Sequence, residues 1–460
     1  MLFLYLGTCY CTPIPALKMS FKFKLNVINH SRSVARRIAG TRYSRQCPCQ
    51  FQLRPLATAS EKPLVSSSPG YLKFSYKNTA SNVKRSMLPN IWLRDNCRCS
   101  SCVHQDTMQR NFNTFDIPQD VQPSRVETNE KGVKIQWSGD SHESFYPWDF
   151  LKFYLESDKR APESLELDYF GAQGPRNPQD WPPSLKHGDF LANETETVGR
   201  LTDFIRRNGF AFVTDVPIDS AEATEKVLEK IAFIRQTHYG GFYDFIPDLA
   251  LADTAYTNLA LGAHTDTTYF TDPAGLQAFH LLSHTGPDSD NNPESNLGGQ
   301  SLLVDGFHAA NVLKEEDPKA FEVLTKIKLP WHASGNKGIT ISPDKLYPVL
   351  ELDETTGRMH RVRWNNDDRG VVPFDSEYSP EEWYQAARKW NNILRRESIE
   401  YWFQLKPGNL LIFDNWRVLH GRSEFTGVRR ICGGYINRDD FVSRWRNTNY
   451  PRDEILKRVI

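Results

Sequence analysis

The chain has no stretch approaching the ~20 consecutive apolar residues that a membrane-spanning helix requires. Its 460 residues also carry no repeat at solenoid or propeller periods. A helical membrane protein and a repeat array are therefore excluded. Net charge is missing too, since 56 Lys and Arg balance 56 Asp and Glu, but the balance is uneven along the chain. Residues 1–60 hold no acidic side chain and nine basic ones (Lys18, Lys22, Lys24, Arg32, Arg36, Arg37, Arg42, Arg45 and Arg54), so the rest carries nine more acids than bases. A mildly acidic body argues against nucleic acid as a partner. Cysteine is scarce: eight residues, of which Cys9, Cys11, Cys47 and Cys49 lie before residue 60. Cys97, Cys99, Cys102 and Cys432, three clustered and one remote, make no disulfide framework and fit a reducing compartment.

What is present is core material. Hydrophobic residues make up 39% and charged ones 24%, with 11 Trp, 18 Tyr and 27 Phe. That composition belongs to a globular chain of about two domains plus an arm. The acid-free, Arg-rich, Ser-bearing segment 1–60 has the make-up of a mitochondrial transit arm, with Leu53–Ser60 as a cleavage region and Met19 as an alternative start. The expected location is the mitochondrial matrix, the cytoplasm being the alternative. The expected domains are 61–170 and 171–460, divided by the Pro-rich segment 173–185.

Hydrophobic periodicity places short strands in 71–155, among them Val133–Trp137, which is apolar at every second position. Helices are expected at Glu194–Asn208, Ser220–Phe233 and Pro380–Leu394. Strands are expected at Phe210–Val213, Gly275–Leu282, Gln300–Val304, Met359–Trp364 and Ile431–Ile436, with one strand-like run from Leu410 to Arg422. Many short strands with few helices predict an α+β, mainly β architecture: a β-sandwich or jelly-roll barrel.

Three His-x-Asp triplets occur: His104/Asp106, His187/Asp189 and His264/Asp266. Two imidazoles and one carboxylate on one face of an octahedral ion leave three positions open, as a non-haem Fe(II) oxygenase requires. His and Asp two apart on an extended strand point to one side, so a single segment supplies two ligands. His264-Thr265-Asp266 meets this demand best, inside the aromatic and threonine-rich run Tyr256–Phe270, with His420 as the remote third ligand. Nine residues on, Arg429 offers the bidentate fork that grips a carboxylate end-on, and Arg430 competes for the role. Separately, Cys97, Cys99 and Cys102 put three thiolates within six residues, which suits tetrahedral Zn(II). Its fourth ligand is open at this point, His104 being the nearest imidazole.

Asp253–Thr257, His264–Phe270, Leu302–Phe307 and Asp414–Arg422 resemble the trimethyllysine and γ-butyrobetaine dioxygenase family of carnitine synthesis, over nearly all of residues 70–450. The resemblance implies a double-stranded β-helix core and a small N-terminal zinc-bearing β domain. It implies Fe(II) on His264, Asp266 and His420, 2-oxoglutarate on Arg429 with help from Ser301, L-ascorbate dependence, and a homodimer. The stretch His142–Leu151 resembles the family's zinc-histidine segment, which favours His142 over His104 as the fourth zinc ligand. Tyr239, Tyr243, Tyr256 and Tyr435 match an aromatic cage for a quaternary ammonium, with Tyr243 replacing a Trp of the γ-butyrobetaine enzyme. A quaternary ammonium donates no hydrogen bond and is held by aromatic faces.

Asp253 stands where the γ-butyrobetaine enzyme carries Asn. An Asp repels a carboxylate and attracts the α-ammonium that trimethyllysine has and γ-butyrobetaine lacks. Asn365 is expected at the substrate carboxylate. The activity implied is hydroxylation of trimethyllysine at C3 with O2 and 2-oxoglutarate, yielding succinate and CO2. The alternatives are γ-butyrobetaine hydroxylation and, from another class, a zinc-stapled adaptor with a dead catalytic fold. A zinc hydrolase is disfavoured because no His-Glu-x-x-His motif occurs.

Overall fold

The computed structural model describes residues 63–77, 83–139, 142–155, 165–175, 181–246, 257–286, 297–374 and 377–459. The arm 1–60, Asp253 and Tyr256 lie outside these residues. Two antiparallel three-stranded sheets come first. One is β1 (Leu64–Ser68), β2 (Tyr71–Lys77) and β3 (Val83–Pro89); the other is β4 (Pro123–Thr128), β5 (Gly132–Trp137) and β6 (Glu143–Pro147). Strand alternation buries Leu72 and Phe74 of β2 with Val133, Ile135 and Trp137 of β5, and the helix Trp148–Leu155 closes the cluster with Phe150 and Leu151.

The remaining strands are β7 (Ser184–Lys186), β8 (Phe210–Thr214), β9 (Tyr243–Phe245), β10 (Leu261–His264), β11 (Leu276–Thr285), β12 (Ser301–Asp305), β13 (Leu350–Leu352), β14 (Met359–Val362), β15 (Tyr401–Phe403), β16 (Leu410–Asp414), β17 (Val418–Arg422) and β18 (Val428–Ile436). They form a larger sheet in the order β7-β8-β16-β11-β18-β9, a smaller one in the order β10-β17-β12-β15, and the pair β13-β14. Phe210, Phe212, Leu411 and Phe413 of the larger sheet meet Leu303 and Val418 of the smaller in one apolar layer. The alternate residues Ala211, Val213, Leu410 and Ile412 turn outward against the helices Glu194–Asn208, Glu222–Ile231 and Arg438–Asn449. Strands covered on both faces explain the unbroken apolar runs Phe210–Val213 and Leu410–Phe413. Two facing sheets of this kind are the jelly-roll core expected from the sequence.

Local signals account for the helices. Asn193 caps Glu194–Asn208 by accepting from Glu196 N, and Gly209, at φ 88°, ends it in the left-handed region. Ser379 and Glu382 form a capping box for Pro380–Leu394, which buries Trp383, Ala386, Trp390, Ile393 and Leu394 at three- and four-residue spacing.

Two expectations need correction. The run 410–422 is two strands in different sheets. The break falls at Asn415–Arg417, where the Asp414 carboxylate accepts from Trp416 N at 3.0 Å and the chain crosses to the smaller sheet. Helices are also more numerous than the pattern suggested: Gly306–Glu316, Pro318–Lys326, Arg438–Asn449 and Arg452–Val459 add to those expected. The first two carry readable starts, with Asp305 and Asp317 as N-caps and Pro318 at the first turn. They pack outside the smaller sheet with Leu302, Val304 and Leu419.

One buried ion pair ties the sheets to the helices. Arg417 donates to both oxygens of Asp305 at 3.1 and 2.7 Å, to Arg207 O at 2.7 Å and to Asp168 O at 2.8 Å. The motifs around Asp305 and Arg417 are thus structural on this side and supply site residues on the other.

Candidate metal centre and active-site cavity

β10 and β17 pair antiparallel with His264 directly opposite His420. Their rings lie 4.3 Å apart between centroids, inclined at 44°. The chain leaves β10 at His264, so Asp266 sits on the turn that follows rather than on the strand itself. That turn is made by Thr267 at φ 59°, a left-handed conformation costly for a β-branched residue. Thr267 Oγ1 repays part of the strain by accepting from Ala274 N at 2.8 Å. Asp266 Oδ1 ends 3.2 Å from His264 Nε2 and 3.9 Å from His420 Nε2. One ligand atom from each of the three residues lies within 4.8 Å of the others.

The electrostatics favour a cation here. Burial opposes ionisation of Asp266, yet the hydrogen bond from His264 and the charges of His420 and His264 hold its carboxyl well below the usual range. Burial, then neighbouring His264, pushes His420 down to about 3, which keeps that imidazole neutral at working pH. His264 Nδ1 donates to Gly262 O at 2.8 Å, leaving Nε2 as the nitrogen turned to Asp266. Burial works against a proton on His264, and Asp266 outweighs it and raises its pKa, so the proton sits where a metal would. Two imidazoles and a carboxylate on one side suit a divalent transition metal such as Fe(II).

The surrounding cavity has chemically distinct walls. Tyr239, Tyr243, Tyr269, Phe279 and Tyr435 line it. The rings of Tyr243 and Tyr435 stand 6.0 Å apart at 66°. Tyr435 does more than present a ring, because its hydroxyl donates to Asp266 Oδ2 at 2.7 Å. Burial, then the Asp266 charge, keeps that phenol well above its ordinary pKa and therefore a donor. Arg429 and Arg422 line another wall beside Ser301, which pairs with Arg422 across β12 and β17. Arg429 is 4% exposed and has no ion pair among the described residues. Burial, then the charge of Arg422, brings its guanidinium down to about 9. Arg430, the competitor, points elsewhere: it forms a two-point pair with Asp244 at 2.9 and 2.6 Å. Asn365, Asp367 and Asp368 line a third wall, where Asn365 Oδ1 accepts from Asp367 N at 3.0 Å.

Every sequence-predicted residue of the iron, co-substrate and substrate sets that the structure describes therefore lines one cavity. Tyr269, Phe279, Gln277 and Arg422 also line it and were not anticipated. Arg422 carried a signal in the triplet His420-Gly421-Arg422, where alternation puts it on the same face as His420.

The second cluster lies beside the core of β1–β6. His142 Nε2 is 3.3 Å from Cys97 Sγ, 3.4 Å from Cys102 Sγ and 3.8 Å from Cys99 Sγ. Around a tetrahedral zinc ion, S···N edges of about 3.6 Å follow from ordinary bond lengths. The four residues fit such an ion. Without a cation two of the three thiols resist ionisation: burial raises Cys97, and burial, then Cys97, pushes Cys102 up to about 12. His104 is excluded from the cluster; its Nδ1 accepts from Asp106 N and Thr107 N at 3.3 Å on the surface. Cys432 is wholly buried on β18, as expected of a strand residue.

Comparisons with known proteins agree with this geometry. The family model described as Taurine catabolism dioxygenase TauD, TfdA family matches residues 173–435, and Gamma-butyrobetaine hydroxylase-like, N-terminal matches residues 71–152. The first spans more than half the chain and defines the class, a TauD, TfdA dioxygenase. Trimethyllysine dioxygenase of Neurospora crassa is 59% identical over 411 residues, covering 84% of this chain and 86% of that one. The enzyme of the same name from Meyerozyma guilliermondii is 40% identical over 408 residues, covering 84% and 98%. Mitochondrial trimethyllysine dioxygenase of Bos taurus is 38% identical over 372 residues, covering 80% and 83%. The chain belongs to the trimethyllysine dioxygenase family. No described helix is long and apolar enough to cross a membrane.

Proposed function

We propose that this chain hydroxylates N6,N6,N6-trimethyl-L-lysine at C3, consuming O2 and 2-oxoglutarate and releasing succinate and CO2. The observation that carries the reading is the meeting of His264, Asp266 and His420 in one cavity that an aromatic wall and a buried arginine without an ion pair among the described residues also line. His264, Asp266 and His420 would hold Fe(II), which supplies the coupling of 2-oxoglutarate decarboxylation to C–H hydroxylation. Arg429 grips the remote carboxylate of 2-oxoglutarate, with Ser301 and Arg422 beside it, and so orients the co-substrate toward the metal side of the cavity. Tyr239, Tyr243 and Tyr435 take the trimethylammonium by cation–π attraction, worth about 0.5–2 kcal/mol per face. Asn365 meets the α-carboxylate. Asp253 and Tyr256 enter on sequence grounds, as partners of the α-ammonium and the cage. Buried apolar residues between the sheets keep water from the reacting carbon.

Cys97, Cys99, Cys102 and His142 hold a structural zinc, because four closed ligands leave no position for chemistry. The sites divide between an N-terminal zinc-bearing part, 61–170, and the catalytic part, 171–460. Import of the chain into the mitochondrial matrix fits the composition of the arm, and ascorbate dependence rests on the family alone. The test is mass spectrometry of reactions with trimethyllysine and with γ-butyrobetaine, each with and without iron. The reading expects a +16 product from trimethyllysine that requires iron and 2-oxoglutarate; product from γ-butyrobetaine alone refutes it.

A further inference from the structure

The two oxygens of Asp266 face different surroundings. Oδ1 faces the imidazoles, while Oδ2 accepts from Gln277 Nε2 at 2.6 Å and from Tyr435 Oη at 2.7 Å. Gln277 and Tyr435 stand opposite each other in the β11–β18 register, so one rung of the larger sheet delivers both donors to one oxygen. The main chain of Asp266 is fixed as well: Asn415 accepts from its N and donates to its O, both at 2.9 Å. Gln277 is 1% exposed, and with its nitrogen committed to Asp266 its Oε1 is buried with no hydrogen-bond partner among the described residues. An orphaned buried acceptor is a cost that Leu or Met on this core strand would avoid. What the glutamine supplies instead is the second donor on Oδ2.

We infer that Gln277 and Tyr435 are positioning residues that hold Asp266 as a one-oxygen metal ligand, so that its second oxygen cannot occupy a further coordination position. The inference rests on the metal reading of His264, Asp266 and His420. A carboxylate can bind a divalent ion through one oxygen or through both. With two hydrogen bonds Oδ2 has its acceptor directions filled and turned from the imidazoles. An octahedral ion on three protein atoms keeps three of six positions for exchangeable ligands. A two-oxygen carboxylate would leave only two, too few for a chelating keto acid together with dioxygen.

The test uses the full-length protein loaded with Mn(II), whose electron paramagnetic resonance lines broaden in 17O-labelled water in proportion to the bound waters. The parent is expected to hold three exchangeable waters. The double variant Gln277→Met with Tyr435→Phe is expected to hold two, as Asp266 turns to bind through both oxygens. A folded double variant that still holds three overturns the inference. Should it fail to fold, Tyr435→Phe alone keeps the ring in place and is expected to change Mn(II) affinity roughly tenfold through the freed carboxylate. Affinity within twofold of the parent, with three waters retained, overturns it equally. If parent Mn(II) binding survives His264→Ala and His420→Ala unchanged, the metal reading fails first, and that outcome is distinct from the others.

Discussion

Replacing Arg429 with Met is expected to stabilise the ligand-free protein while removing its use of 2-oxoglutarate. Arg429 is 4% exposed and, among the described residues, pairs with no carboxylate. Burial and Arg422 bring its guanidinium from the ordinary 12.5 down to about 9. A cation held below its ordinary value penalises the folded state fully at any pH under the lowered value, so at pH 7 the whole penalty is present. A displacement of that size corresponds to about 5 kcal/mol, and replacing a buried charge by an apolar side chain of similar volume commonly returns about 1–4 kcal/mol. With 2-oxoglutarate the sign reverses. Losing a charge-assisted two-point contact of about 3 kcal/mol raises its KM roughly 100-fold. Thermal melts with and without Mn(II) and 2-oxoglutarate separate the two effects. At a hundred times Kd the parent gains about 2.7 kcal/mol from the ligand, and the variant should gain almost none. Arg430→Ala is the control, since its pair with Asp244 is exposed to solvent and Arg430 does not line the cavity. A ligand-free Arg429→Met protein less stable than the parent, or a 2-oxoglutarate KM within threefold of it, refutes the reasoning.

Three further perturbations follow from the same geometry. Burial, then His187, holds His280 at about 4 in the folded protein. Between pH 6.5 and 4 the unfolded chain takes a proton that the folded chain refuses, so stability should fall by roughly 3 kcal/mol as pH falls through that window. His280→Gln should flatten this slope in urea titrations at pH 7, 5.5 and 4. Arg417→Met leaves the Asp305 carboxylate, at 0% exposure, without its cation and should cost about 3–5 kcal/mol; adding Asp305→Asn, which removes the charge and keeps an acceptor for the helix cap, should recover part of it, and chemical denaturation reads both. Elemental analysis should find one zinc per chain, lost in Cys99→Ser together with the near-ultraviolet signal of Trp137 and Trp148, whereas His104→Ala should retain it.

The strongest sequence signals were those where chemistry restricts residue type. A facial set for a divalent ion draws on two imidazoles and a carboxylate, so His264, Asp266 and His420 stood out as candidates although 156 positions part the first from the last. The helices near Glu194–Asn208 and at Pro380–Leu394 were legible from their apolar periodicity, and in the structure Asn193, Gly209 and Ser379 cap them. Gln277 could not be read, because one glutamine at the apolar start of β11 has no motif. Only the register that sets it against Tyr435 brings its amide to Asp266. The break at Asn415–Arg417 did carry a local signal, the polar Asp414-Asn415 and Arg417 between two apolar runs, but only the tertiary pairing shows that the chain changes sheets there. Residue type alone left Arg429 and Arg430 in competition and the family resemblance chose Arg429; the structure sets Arg429 in the cavity wall and pairs Arg430 with Asp244.

The central claim is that three distant side chains bind one ferrous ion with room for a chelating keto acid. Anaerobic titration of the metal-free protein with Fe(II) and 2-oxoglutarate tests it most directly, read by the visible charge-transfer absorption of an iron-bound keto acid. The expected band saturates at one iron per chain and vanishes in His264→Ala, Asp266→Ala and His420→Ala. A band that persists in any of these, or none in the parent, would contradict the claim.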